Sequence, residues 1–179
     1  IPILEYPDMQ FITARHEQAT TYMADGYARA GGKIGVAMVV PGPGLQNASA
    51  GITNAYASSS PVLVISGQIN REKISKDTGQ LHEINDQIDL IKPITKLQTR
   101  IIKAQKIPDV VKKSFQQLRT GRPRPVEIEI PPETLSELVN HFNYLKAKIV
   151  TKKLNIKKLK KCADIICKAK NPIIWAGGG

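Results

Sequence analysis

The chain has 179 residues, 41% of them apolar, and carries 26 Lys and Arg against 15 Asp and Glu, a net charge of +11. That apolar share sustains a packed core and excludes a largely disordered chain; no run reaches the roughly 18–20 apolar residues that span a bilayer. The charge is concentrated: residues 145–170 hold ten lysines and one acid, Asp164, whereas residues 1–144 are close to neutral at +2.

Ile1-Pro2-Ile3-Leu4-Glu5 has no basic start, apolar run or cleavage site and is not expected to act as a signal peptide; without an initiating Met, the native protein is expected to begin upstream. Phe11–Ala14 reads as a short strand. Ala19, Tyr22/Met23, Gly26/Tyr27 and Ala30 recur at three-to-four spacing and predict a helix over Glu17–Arg29, ended by Gly31-Gly32. Gly35–Val40 is a near-continuous apolar run before Pro41, the pattern of a strand buried on both faces of a parallel sheet. Pro41-Gly42-Pro43-Gly44 is a sharp turn. The helix expected over Leu45–Ala57 is rich in Ala, Ser and Gly, which points to close packing against a neighbour, a second subunit being the candidate.

Val62–Ser66 is the next buried strand, closed by Gly67. Residues 68–92 are polar and irregular, with a short helix expected near Asn85–Ile91. Pro108–Leu118 reads as a helix with Val110/Val111, Phe115 and Leu118 on its apolar face, and Val126–Ile130 as an alternating strand stopped by Pro131-Pro132. Strands alternating with helices define an α/β fold with a parallel sheet flanked by helices. Residues 133–153 read as a connection with one short helix. Asn155–Ala169 is an amphipathic helix, and Pro172–Ala176 a strand running into Gly177-Gly178-Gly179.

The lysines of 145–170 could serve nucleic acid, but no aromatic residues interleave them, so a solvated linker and helix face is the favoured reading. Cys162 and Cys167 lie five apart, neither a CxxC nor a metal-finger spacing, and are expected as small buried or half-buried thiols; a reducing cytoplasm fits them. No metal-ligating set is apparent.

Chemistry concentrates around Glu17. A carboxylate where a strand gives way to a helix is easily buried, and without a charge partner it stays protonated. A protonated acid can donate to a ring nitrogen, which a carboxylate cannot. By position alone the same residue could merely complement the helix dipole. His16 beside it reads as a packed or capping residue. The Pro41–Gly44 turn lacks the Lys-Ser/Thr of a phosphate loop and the chain lacks GxGxxG, so nucleotide binding there is poorly supported.

Several stretches, in order, resemble the pyrimidine-binding domain of thiamine-diphosphate-dependent enzymes of the acetolactate synthase, oxalyl-CoA decarboxylase and benzaldehyde lyase type. They are Arg15-His16-Glu17, Met23–Arg29, Gly42-Pro43-Gly44 with Asn47, Pro61 through Gln68, and Gly121-Arg122-Pro123 with Pro125. The resemblance implies that residues 1–132 form this domain without its first strand and helix, that 133–154 are a linker, and that 155–179 begin a second, Rossmann-like α/β domain. It implies that Glu17 hydrogen-bonds the N1′ nitrogen of the aminopyrimidine ring, so that the 4′ nitrogen can activate thiazolium C2 for attack on a 2-keto acid.

Pro41, Gly42 and Asn47 are then cofactor-binding candidates with Glu17, and His82, in a loop bordering the substrate, a proton-transfer candidate. Mg²⁺ and the diphosphate would be held by a domain outside this chain; FAD use stays open. A cytoplasmic homodimer or homotetramer is implied, with Glu17 of one subunit meeting cofactor held by another. Two departures stand out. Leu81-His82-Glu83 replaces the family's Phe-Gln-Glu, and Asp86-Gln87 followed by Lys92–Lys96 is closer to the decarboxylase and lyase branches. An acetolactate-synthase-like activity is the first expectation, a non-oxidative 2-keto-acid or acyl-CoA decarboxylase or lyase the second, and a non-catalytic basic α/β binding module the third.

Overall fold

The computed structural model describes residues 5–141, 146–147 and 154–177, which fall into two units, Ile1–Ile149 and Val150–Gly179. Parts of the expected linker, Ile1–Leu4 and Gly178-Gly179 lie outside the described residues.

In the first unit, helix α1 (Glu17–Gly31) starts at His16, whose Nδ1 accepts the Gln18 amide proton at 3.2 Å, and ends at Gly32 in the left-handed conformation. Strand β1 (Gly35–Val39) leads through the Pro41-Gly42 turn into α2 (Pro43–Ala57), and β2 (Val62–Gly67) follows. A long loop then reaches α3 (Gln87–Ile91), a 3₁₀ turn and β3 (Leu97–Arg100). Helix α4 (Ile107–Arg119), β4 (Val126–Ile130) and the short α5 (Pro132–Ser136) complete the unit. The four strands form one all-parallel sheet in the order β1-β2-β4-β3, the α/β architecture expected.

Strand β2 sits inside the sheet and divides its side chains between two cores. Val62 and Val64 join Ala24 and Ala28 of α1, Leu45, Ala48, Ile52 and Ala55 of α2, and Ile91. Leu63 joins Leu118 of α4 with Val126 and Ile128 of β4 on the other face. Ala48, Gly51 and Ala55 of α2 therefore pack within the chain, whereas Ala50 and Ala57 are exposed. Thr21 of α1 donates to Ala48 O at 2.9 Å, and a methyl group on Gly51 would stand 2.7 Å from Thr21 Cβ and 2.9 Å from Tyr22 N.

Other expectations need correction. Phe11–Ala14 is not a strand: it makes no ladder, and Phe11 and Ile12 are exposed. Apolar residues alone do not make a strand without a backbone partner. Strand β1 is buried on one face only, because it lies at the sheet edge and Val36, Met38 and Val40 point to solvent. The second unit contains α6 (Ile156–Lys168), capped by Asn155 Oδ1 at the Lys158 amide. Pro172–Gly177 is not a strand and pairs with nothing among the described residues. Cys162 and Cys167, expected buried, are free and exposed on α6.

Candidate functional site

The site lies at the carboxyl ends of the parallel strands, where open α/β sheets gather their ligand-binding loops. Glu17, first residue of α1, meets the turn between β1 and α2 there. Asn47 Nδ2 donates to Glu17 Oε2 at 3.1 Å, and Glu17 Oε1 would stand 3.5 Å from a methyl group placed on Gly44. Glu17 is half-buried. Its own backbone amide and then the Asn47 amide hold its carboxyl below the usual carboxylate range, outweighing the effect of burial. In this chain Glu17 is thus an accessible, ionised carboxylate, where the sequence suggested a buried protonated acid. The physical reason is the two donors aimed at it.

Gly42 has φ of 58° and is buried, with a conformation that a side chain would strain. A methyl group there would lie 2.9 Å from the His82 carbonyl carbon and 3.2 Å from its Cα. So the His82 loop packs on the turn through its backbone, and His82 itself adopts φ of 68°. Pro41 lies against Gly67 at the end of β2. The structure therefore gathers Glu17, Gly44 and Asn47 in one cluster and sets Pro41, Gly42 and the His82 backbone beside it.

Two open depressions lie nearby. One of about 440 Å³ is lined by residues of the 75–85 loop, among them Asp77, Gln80 and Glu83; one of about 300 Å³ is lined by Gln46, Ile84–Asp86, Asp89 and Leu90. Glu17 lines neither. Glu83 accepts the Thr78 and Gln80 amide protons at 3.2 and 2.8 Å and so ties this loop to itself. Those backbone donors keep its carboxyl below the usual range.

Behind the turn lies a buried polar network of which the sequence marked only the Asp86-Gln87 pair, and that as a family feature. Gly42 N–H donates to Gln87 Oε1, and Gln87 Nε2 donates to Gly67 O at 3.0 Å and to Glu129 Oε2 at 3.2 Å. Glu129 also accepts from Gln68 Nε2 and is paired with Arg100. Next to it Glu127 accepts from Ser66 Oγ at 2.6 Å. The available signals were the Asp86-Gln87 dipeptide and two acids within an otherwise apolar strand.

An acid at a helix start, beside a glycine turn at the carboxyl end of a parallel sheet, defines a ligand-binding α/β domain. Residues 2–90 match the family described as thiamine pyrophosphate enzyme, N-terminal TPP binding domain. The chain belongs to this family of thiamine-diphosphate-dependent enzymes. Over 178 residues it is 43% identical to the acetolactate synthase large subunit of Buchnera aphidicola subsp. Schizaphis graminum, covering 96% of this chain and 30% of that protein. Over 173 residues it is 35% identical to a Pseudomonas aeruginosa protein named as a 2-ketoarginine decarboxylase, covering 96% and 31%. An X-ray structure of a Mycobacterium smegmatis protein assigned as a thiamin diphosphate-dependent enzyme superposes with a TM-score of 0.77 at 22% identity, covering 93% of this chain and 32% of that one. That likeness is one of fold. The chain spans about 30% of the length of the curated relatives it matches.

Proposed function

We propose that this chain supplies the pyrimidine-binding half-site of a thiamine-diphosphate-dependent enzyme that acts on a 2-keto acid, in the manner of acetolactate synthase. The observation that carries the reading is the Glu17 carboxylate, accessible and fixed by Asn47 beside the Pro41–Gly44 turn. These residues fit the aminopyrimidine: a carboxyl group able to meet a ring nitrogen, next to backbone without bulky side chains. Bound thiamine diphosphate supplies the nucleophile and the electron sink for chemistry next to a keto group.

The roles of this chain's residues follow from their chemistry. Glu17 holds or shares a proton at the ring nitrogen. Once a ligand and a second subunit exclude water, burial raises its proton affinity toward that task. Asn47 orients the carboxylate. Pro41 and Gly42 present the backbone on which the ring rests, and His82 offers proton transfer at the substrate side.

Among the described residues no group of three His, Cys, Asp or Glu side chains gathers to hold a metal ion; Mg²⁺ and the diphosphate are assigned to a domain beyond this sequence, as is any FAD. In domain terms, 1–132 form the pyrimidine-binding domain, 133–154 a linker and 155–179 the start of the central domain. The protein is assigned to the cytoplasm, and no described helix is long and apolar enough to cross a membrane. A homodimer or homotetramer would use the apolar stripe Tyr22, Met23 and Tyr27 of α1, each more than two-fifths exposed.

A decarboxylase or lyase of the same family is the second reading. Leu81-His82-Glu83 and Asp86-Gln87 favour it, as does the likeness to the protein named as a 2-ketoarginine decarboxylase.

The test is Glu17→Gln in the full-length protein. Removing a group that works by proton transfer costs about 10²–10⁴-fold, so 2-keto-acid turnover should fall by that order while the unfolding transition stays in place. Turnover close to wild type would remove Glu17 from the mechanism. Products then separate the two readings: carbon–carbon ligation marks a synthase, an aldehyde alone a decarboxylase.

A further inference from the structure

Gln87 is the first residue of α3 and is 1% exposed. A buried primary amide must find partners for its oxygen and its two N–H groups. Here Oε1 takes the Gly42 amide proton, and Nε2 reaches both Gly67 O and Glu129 Oε2. One side chain thus joins the turn after β1, the end of β2, the carboxyl-terminal part of β4 and the start of α3.

The anchor behind it is equally enclosed. Glu129 is fully buried and receives Gln68, Gln87 and Arg100. Arg100 Nη2 reaches Asp86 Oδ1 at 3.4 Å, and the same oxygen accepts the Ile88 amide proton at 2.8 Å. The residue before Gln87 is therefore fixed as well.

Gly42 needs such a hold. Its φ of 58° and ψ of −113° lie outside the regular wells; its carbonyl accepts the Gln46 amide proton of α2 at 3.0 Å, but its N–H has Gln87 and no ladder partner. The second glycine of the turn, Gly44, faces Glu17 Oε1, while Gly42 turns its N–H to Gln87. The His82 loop packs on the same glycine.

We propose that Gln87 is a positioning residue for the cofactor: through Gly42 it sets the backbone surface on which the pyrimidine ring rests and against which the His82 loop is placed. This deepens, and rests on, the functional reading above.

The experiment compares full-length wild type with Gln87→Met, close in shape but unable to bond Gly42. Binding of thiamine diphosphate with Mg²⁺ is followed by calorimetry, and backbone amide exchange by mass spectrometry. Losing a buried hydrogen bond of ordinary strength corresponds to about tenfold in an equilibrium. The dissociation constant should rise by about that factor, and exchange over 41–44, where only Gly42 and Gly44 carry an amide proton, should quicken about tenfold, with Val64 and Ile128 as protected as before. A merely structural role would instead raise exchange throughout the sheet and leave affinity unchanged once the protein is folded.

Unchanged exchange over 41–44, or wild-type affinity, would overturn the proposal. If Gln87→Met does not fold, Gln87→Asn, one methylene too short to reach Gly42, takes its place. If wild type itself fails to bind, the functional reading falls, and exchange over 41–44 alone decides whether Gln87 holds the turn.

Discussion

Glu17 and Glu127 are the same chemical group in opposite surroundings. Glu17 faces solvent and two amide donors, and its carboxyl lies low. Glu127 is sealed in the sheet, where burial, and then the neighbouring Glu129, push its carboxyl up to about 8 despite the Ser66 hydrogen bond and the more distant Arg100 guanidinium. Among the described residues its Oε2 has no hydrogen-bond partner, which costs less for a neutral carboxyl than for an ionised one. The sign for stability follows. A carboxyl raised in the folded state binds its proton more tightly there than when unfolded. Its contribution is fully present below about 4.5, is lost as pH rises to about 8, and is flat beyond. Glu127→Gln removes this dependence. Urea unfolding at pH 5 and pH 8 should show the variant gaining on wild type by on the order of a few kcal/mol across that window. Parallel curves would mean that Glu127 is ionised in the fold, or that water reaches it.

Helices α1 and α2 approach so closely because Gly51 offers no side chain where Thr21 and the Tyr22 amide stand. Alanine is the better helix former by about 1 kcal/mol, yet overpacking a tight contact costs about 1–3 kcal/mol. The contact should win: Gly51→Ala should lower stability by about 1–2 kcal/mol in chemical denaturation, and a gain would show that the helices can separate freely. These helices were legible in the sequence because their apolar residues recur at three-to-four spacing. Strand β3 was not. Leu97-Gln98-Thr99-Arg100 is polar and half-buried, and its extended form comes from the ladder with β4, a tertiary partner. Phe11–Ala14 shows the converse, apolar residues with no ladder to join. Around the site, Glu17, Gly42 and Asn47 were marked by local motifs. Gln87 was marked only as part of the Asp86-Gln87 pair, and its link to Glu129 was not legible, because 42 residues separate them and only the fold joins their side chains. Period alone reads Val126–Ile130 as a half-exposed strand, whereas it lies between β2 and β3 with both acids enclosed.

At the scale of the whole molecule, the first unit has a packed interior but leaves two apolar surfaces open. Val36, Met38 and Val40 line the free face of edge strand β1, and Tyr22, Met23 and Tyr27 stripe α1. Exposed apolar groups gathered in this way mark surfaces meant for covering. The same unit carries Glu17, the acid proposed to meet the ring nitrogen, beside the Pro41–Gly44 turn. A purified chain of these 179 residues should therefore self-associate, eluting in size-exclusion chromatography ahead of its 19.7 kDa monomer position. It should show no turnover of a 2-keto acid when supplied with thiamine diphosphate and Mg²⁺, and mixing with the remainder of the full-length protein should restore activity. Turnover by the isolated chain would mean that Glu17, Asn47 and the Pro41–Gly44 turn suffice without a second domain.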